Sequence, residues 1–191
     1  CHYLINEKGK IISIVPDNYT AWHAGKSRWG KLSSLNKSSI GIELVNPGHN
    51  FGYKKFGKKQ ISALIQLIKK LIKKYNINKK NIVGHSDIAP LRKKDPGEKF
   101  PWKILAKSNI GIWHNLKQKK LMKNRKKKIL KKEKLIFFKF LNKIGFQTRF
   151  NIKKSKYQKK LIEAFQRRFR SELISGIVDK ECFFIAKNLS I

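Results

Sequence analysis

Between Gln60 and Tyr75 the apolar side chains Ile61, Leu64, Ile65, Ile68, Leu71, Ile72 and Tyr75 recur at the spacing of one helix face, with lysines on the other. A stripe of that length has to lie against an apolar surface, and strand-like segments stand on both sides of it. Residues 39–45, SIGIELV, alternate, with Ile40, Ile42 and Leu44 on one side and Gly41, Glu43 and Val45 on the other. Residues 81–85, NIVGH, read as a short strand that delivers His85 to the C-terminal edge of a sheet, where open α/β folds place their chemistry. Upstream, YLINEKGKIISIV (3–15) reads as a hairpin with Gly9 at its turn, ended by Pro16 and Asp17. The segment 17–38 is loop, with Trp22 and Trp29 as its anchors. These elements together point to the α/β class.

The chain has 191 residues, 40% of them hydrophobic, with 12 Phe and 4 Trp, enough for one full domain and a smaller second one. After Trp113 the pattern changes. Residues 115–134 are dominated by Lys and Arg around a thin apolar set, Leu116, Leu121, Met122, Ile129 and Leu130, and read as a linker or exposed helix. From Leu135 apolar periodicity returns in LIFFKFLNKIGF, YQKKLIEAFQRRFR and KECFFIAKNL, which read as three short helices. The division is therefore 1–113, 114–134 and 135–191.

A net charge of +35, from 46 Lys and Arg against 11 Asp and Glu, attracts polyanions: nucleic acid, acidic lipid or an anionic wall polymer. An A- and T-rich coding sequence would load exposed positions with lysine regardless of function. Nothing in the chain resembles a base-reading module, so specific nucleic-acid binding is not expected. Two cysteines, Cys1 and Cys182, make no disulfide framework. No run reaches the length of a membrane span and none reads as a signal peptide, with Cys rather than Met at position 1.

The chemistry-bearing segment is GHSDIAPLRKKDPG, residues 84–97. His85 and Asp95 in a loop serve as turn and capping groups in one reading, and as ligands of a Zn²⁺ ion in the other. Glu43 favours the second, because a carboxylate on a strand that otherwise reads as buried needs a partner or a use. A plain ion pair with Lys93 or Arg28 would satisfy it; so would service as a general base. Lys93 is either one more solvated lysine or a cation facing the same cavity and an oxyanion.

Four blocks, HYLINEKGKI, VPDNYTAWHAGKSRW, SIGIELVNPG and GHSDIAPLRKKDPGEKFPW, resemble in order the zinc-dependent type-2 N-acetylmuramoyl-L-alanine amidases, relatives of the peptidoglycan recognition proteins. The resemblance covers residues 1 to about 113. It implies a mixed central sheet flanked by helices, Zn²⁺ as cofactor, and hydrolysis of the amide between N-acetylmuramic acid and L-alanine in peptidoglycan or muropeptides. Carried over, it makes His85 and Asp95 zinc ligands, Glu43 the catalytic acid and base, and Lys93 the group that stabilises the transition state. Residues 135–191, with AFQRRFRSELISGIVD, look like the small three-helix peptidoglycan-binding domain often appended to such enzymes. There Phe165, Gln166 and Asp179 read equally as core and cap residues or as glycan contacts.

The family's first zinc ligand is a histidine on an early strand, expected upstream of residue 1. His2 aligns instead with a hairpin histidine that the family does not use; His23 and His49 read as structural or substrate-facing, and His114 lies outside the domain. With two ligands in place of three, zinc affinity should fall and the amidase be inactive, unless a separate upstream product supplies the strand. The alternative function is a non-catalytic peptidoglycan-binding protein. The resemblance implies a bacterial cell envelope, periplasmic or outer-membrane associated, while the lack of a signal peptide leaves a cytoplasmic place open.

Overall fold

A computed structural model of the chain describes residues 1–148 and 154–191. The hairpin forms as β1 (Tyr3–Ile5) and β2 (Ile11–Ser13), antiparallel, with Tyr3 opposite Ser13 and Ile5 opposite Ile11. Gly9 takes φ +86° at the turn, a backbone conformation that favours glycine, and its amide donates to Asn6 O at 3.0 Å. After the small hairpin β3 (Arg28–Trp29) and β4 (Leu32–Ser33), β5 (Ile42–Leu44) pairs parallel to β1, with Leu4 opposite Glu43. The main sheet is thus mixed, in the order β2-β1-β5.

Helix α1 (Lys58–Tyr75) covers this sheet and buries Ile61, Leu64, Leu67, Ile68 and Leu71 against Ile5, Phe100, Trp102 and Leu105. Each such side chain contributes roughly 1.5–3 kcal/mol on full burial. The buried stripe is rotated slightly from the expected one: Leu67 joins it, while Tyr75 is exposed and donates its hydroxyl proton to Asp17 at 2.8 Å. Buried Gln60 stitches helix to sheet, its amide donating to Ile5 O at 3.1 Å and Val45 O at 3.0 Å. The helix ends at Asn76 in the left-handed region.

One expected strand does not form. Ile82 and Gly84 are extended (φ −92°, ψ 105° and φ −92°, ψ 162°), yet no ladder includes them, and His85 opens a one-turn helix, α2 (His85–Ile88). A strand requires a neighbour; here an open cleft separates Ile82–Gly84 from β5. Helix α3 (Trp102–Lys107) follows.

Downstream come α4 (Gln118–Asn124), α5 (Lys131–Ile144), α6 (Lys154–Phe169) and α7 (Lys180–Leu189). Their core, built on Phe137, Leu141, Leu161, Phe165 and Ile185, also includes Ala24, Trp29 and Leu35 from the sheet-bearing half. Trp29 packs edge-on to Phe146 at 5.0 Å and donates its ring N–H to Lys80 O. Asp179 caps α7 by accepting from the Cys182 amide at 2.9 Å, and Gln166 fastens the preceding loop by accepting from Gly176 N and donating to Ile177 O. Phe165 is wholly buried. Among the described residues no helix is long and apolar enough to cross a membrane.

Two consequences are measurable. Leu141 is fully buried, so Leu141→Ala should cost about 2–5 kcal/mol in denaturant unfolding, cavity included. His114 stacks on Trp113 at 5.2 Å with a buried Nδ1 that has no hydrogen-bond partner among the described residues; burial, then the Lys103 charge, push its imidazole down to about 4. The unfolded chain, with an ordinary histidine near 6.5, binds the proton first. Stability present above pH 6.5 is therefore lost as pH falls toward 4, and His114→Gln should flatten the fall in Tm across that window.

Candidate active site

The extended segment Ile82–Gly84 ends in a turn tightly determined by its own side chains. Asp87, only 2% exposed, accepts from the Gly84 amide at 2.8 Å and so caps the turn that begins with His85. Ser86 N donates to Asp95 O at 2.8 Å, which closes the loop on itself and brings positions 85 and 95 together. At the far end Tyr53 donates to Pro96 O at 2.7 Å and accepts from Lys99 N at 2.9 Å. Gly97, at φ +86°, sits against that ring, and a Cβ there would collide with the Tyr53 hydroxyl.

The result is one contact between the two expected metal ligands: His85 Nδ1 lies 3.1 Å from Asp95 Oδ2. Two donor atoms of a tetrahedral zinc with bonds of ~2.0–2.1 Å stand roughly 3.3–3.4 Å apart, so the pair fits two corners of such a site. The other ring nitrogen, Nε2, lies 3.2 Å from Ala24 O, the kind of outer partner that orients a ligating imidazole. Among the described residues no third His, Cys, Asp or Glu joins them. His2 is buried, with Nδ1 accepting from Gly41 N and Nε2 donating to Tyr19 O, both at 3.0 Å. His23 places Nδ1 2.8 Å from Ala21 O and Nε2 3.0 Å from Ser39 Oγ. Each holds loop to sheet. His49 bonds Glu98 at 3.1 Å, a short step from the ligand loop.

Glu43 corrects its expectation. It is exposed rather than buried, because successive side chains of β5 alternate: Ile42 and Leu44 turn toward α1, which leaves Glu43 on the opposite face, lining the cleft. Among the described residues no ion pair takes it up, neither Lys93 nor Arg28. Partial desolvation and then the Asp95 charge raise its carboxyl above the usual range, against His85 and Lys93, which lower it. Asp95 goes the other way: burial opposes, but the His85 hydrogen bond and charge, with Lys93, bring it below the usual range. Lys93 is half-buried and lines the same cleft as Glu43, His85 and Asp95. That cleft measures roughly 1090 Å³ and reaches down to Leu64, Ile68 and Trp102.

Two residues were not legible as site residues. Trp22 was expected as a loop anchor, but it is 83% exposed at the cleft rim, while Trp29, buried against Phe146, takes the anchoring role. Arg92, one of a basic run, donates to Ala24 O and Lys26 O and approaches His85 Nε2 at 3.4 Å, pinning the loop that faces the imidazole. The basic run hid it.

The N-acetylmuramoyl-L-alanine amidase family profile matches residues 1–98. The chain belongs to this family. The N-acetylmuramoyl-L-alanine amidase AmiD of Escherichia coli (strain K12) is 37% identical over 200 aligned residues, covering 98% of this chain and 72% of the relative. The solved complex of E. coli AmiD with anhydro-N-acetylmuramic acid-L-Ala-D-gamma-Glu-L-Lys has TM-score 0.87 at 36% identity, covering 98% of this chain and 77% of that one. AMPDH3 of Pseudomonas aeruginosa in complex with anhydromuramic pentapeptide has TM-score 0.82 at 33% identity, covering 98% and 80%. The similarity to this amidase family therefore extends through α4–α7 as well as through the sheet-bearing half.

The geometry of the ligand loop is testable apart from catalysis. Tyr53→Phe removes a bond to Pro96 O and one from Lys99 N, and should cost about 1–2 kcal/mol in unfolding free energy.

Proposed function

We propose that the chain hydrolyses the amide between N-acetylmuramic acid and L-alanine in peptidoglycan or its anhydromuramyl fragments, in the bacterial cell envelope, as a zinc-dependent enzyme. The observation that carries this is the convergence of Glu43, His85, Lys93 and Asp95 on one cleft, from β5 and from the loop after Gly84. His85 and Asp95 would hold Zn²⁺ together with a third ligand, expected as a histidine preceding residue 1. Bound there, the ion supplies a Lewis acid for the scissile carbonyl and lowers the pKa of water.

Glu43 is the proton carrier. With its carboxyl raised and open to the cleft, it takes the proton of the attacking water and returns it to the departing amine of L-alanine. Lys93 sets its ammonium near both carboxylates and meets the negative charge that develops on the carbonyl oxygen. The basic surface draws the carboxylates of the stem peptide toward the cleft. Exposed Trp22 and Tyr19 stand at its rim, where flat rings can cover a sugar or peptide face.

A specific observation favours a second reading, a non-catalytic peptidoglycan-binding protein: only two metal donors meet among the described residues. One experiment separates them. Release of L-alanyl peptide from an anhydromuropeptide is followed for this chain and for a version extended upstream with a strand that carries the histidine, beside pull-down on purified sacculi. Amidase function predicts chelator-sensitive hydrolysis, with Glu43→Gln lowering kcat by about 10²–10⁴ and Lys93→Ala by about 10²–10³. Sacculus binding without hydrolysis in either version establishes the non-catalytic reading.

A further inference from the structure

We propose that the C-terminal helices shape the metal-ligand loop directly, with the adjacent Arg168 and Arg167 of α6 as its positioning residues. The proposal rests on His85 and Asp95 being the ligands, but its primary test does not.

Arg168 is 2% exposed and leaves its own helical unit to reach beneath the loop. One guanidinium nitrogen donates to Asp87 Oδ2, in an ion pair whose side chains are each 1% exposed. The other donates to Ile82 O at 2.9 Å. The guanidinium plane lies over Trp102, 4.1 Å from the ring centroid, which fixes its orientation. Thus a single side chain holds the backbone before His85 through Ile82 and after it through Asp87. Asp87 Oδ2 also accepts from Gly84 N, so the same charge pair determines where the turn begins.

Arg167 works at the other end. Its Nε stands 3.9 Å from Glu98 Oε2, and Glu98 is bonded to His49, which stacks on Tyr53 at 4.3 Å. Tyr53 in turn holds Pro96, next to Asp95. Between the two ends, Ser86 N donates to Asp95 O, so movement at residue 86 is transmitted to the second ligand. Arg168 thus holds the first flank of segment 84–98 by hydrogen bonds, and Arg167 faces the last flank as a buried charge 3.9 Å from Glu98 with no hydrogen bond on its Nε among the described residues; the segment between carries His85, Lys93 and Asp95. Neither arginine is needed for the packing of α5 and α7, which rests on Phe137, Leu141, Phe165 and Ile185.

Hydrogen exchange on the metal-free full chain tests this. In Arg168→Met, exchange at the Gly84 and Ser86 amides should rise roughly tenfold or more relative to the Leu64 and Leu67 amides of α1. Arg168→Lys, which keeps the charge but cannot span Asp87 and Ile82 together, should fold and give a smaller change at the same amides. Arg167→Gln should act at the Phe100 amide, which donates to Gly97 O, and not at Gly84. Leu189→Ala, which weakens the α7 packing without touching either arginine, is the control.

If Arg168→Met or Arg168→Lys raises exchange evenly across the chain, or Leu189→Ala reproduces the local pattern, the helices lend only general stability and the proposal fails. If Arg168→Met does not fold, Arg168→Lys decides by the same criterion. Titration with Zn²⁺ alone adds a second readout, with affinity expected to weaken about 10–100-fold in Arg168→Met. Localised exchange with no Zn²⁺ binding either in this chain or in the version extended upstream with the histidine-bearing strand sinks the metal reading of His85 and Asp95 and supports the positioning role.

Discussion

A guanidinium and a carboxylate, each shut away from water, meet where the two halves of the molecule join. Removing either charge from water is expensive, and the Asp87–Arg168 pair offsets that cost with further partners: Gly84 N for Asp87 Oδ2, Ile82 O and the Trp102 face for the guanidinium, while Asp87 Oδ1 and Arg168 Nε are buried without a hydrogen bond among the described residues. Breaking it on one side would leave the other charge stranded. The structure is therefore committed to one arrangement of α6 against the segment 82–87, and through Ser86 and Asp95 to one arrangement of the ligand loop.

The rest of the fold can be followed outward from that junction. On one side, α1 presses its apolar face on β1 and is fastened by Gln60 to the carbonyls of Ile5 and Val45, which places β5 and Glu43 beside the cleft. On the other, Phe137, Phe165 and Trp29 form a core that spans both halves of the chain. A second buried charge cluster, Arg125 and Arg170 with Glu181 and Asp179, fixes the α4 end to α7. Buried ion pairs of this kind specify orientation more than they add stability. In a chain with so few acidic residues, their use at interfaces is a strong constraint on which lysines and arginines can be structural.

The cleft is lined on one side by β5 and on the other by Ile82–Gly84, which joins no ladder among the described residues. Two extended backbones face each other across it, with Leu64, Ile68 and Trp102 at the bottom. The same opening leaves Glu43 accessible, as the proton-carrying role proposed for it requires.

Much of the candidate site was legible from residue order. The His85–Asp95 spacing, the glycine and proline that bend the loop, and the helical stripe in 60–75 are local properties, determined by backbone preference and hydrophobic periodicity. So was the pairing of β1 with β2, since its turn carries its own glycine. What the sequence could not decide depends on neighbours. NIVGH has the composition of a strand but joins no ladder among the described residues, Glu43 has the alternation of a core strand but lies on the face that α1 leaves uncovered, and Trp22 matches Trp29 in type yet is exposed where Trp29 is buried. Arg167 and Arg168 were two basic residues among many; only the tertiary structure, by bringing residue 168 against residue 87, set them apart. Sequence alone determined which groups could do the chemistry, because those are written in residue type and short spacing. Which of them meet, and what holds them there, was decided by long-range packing.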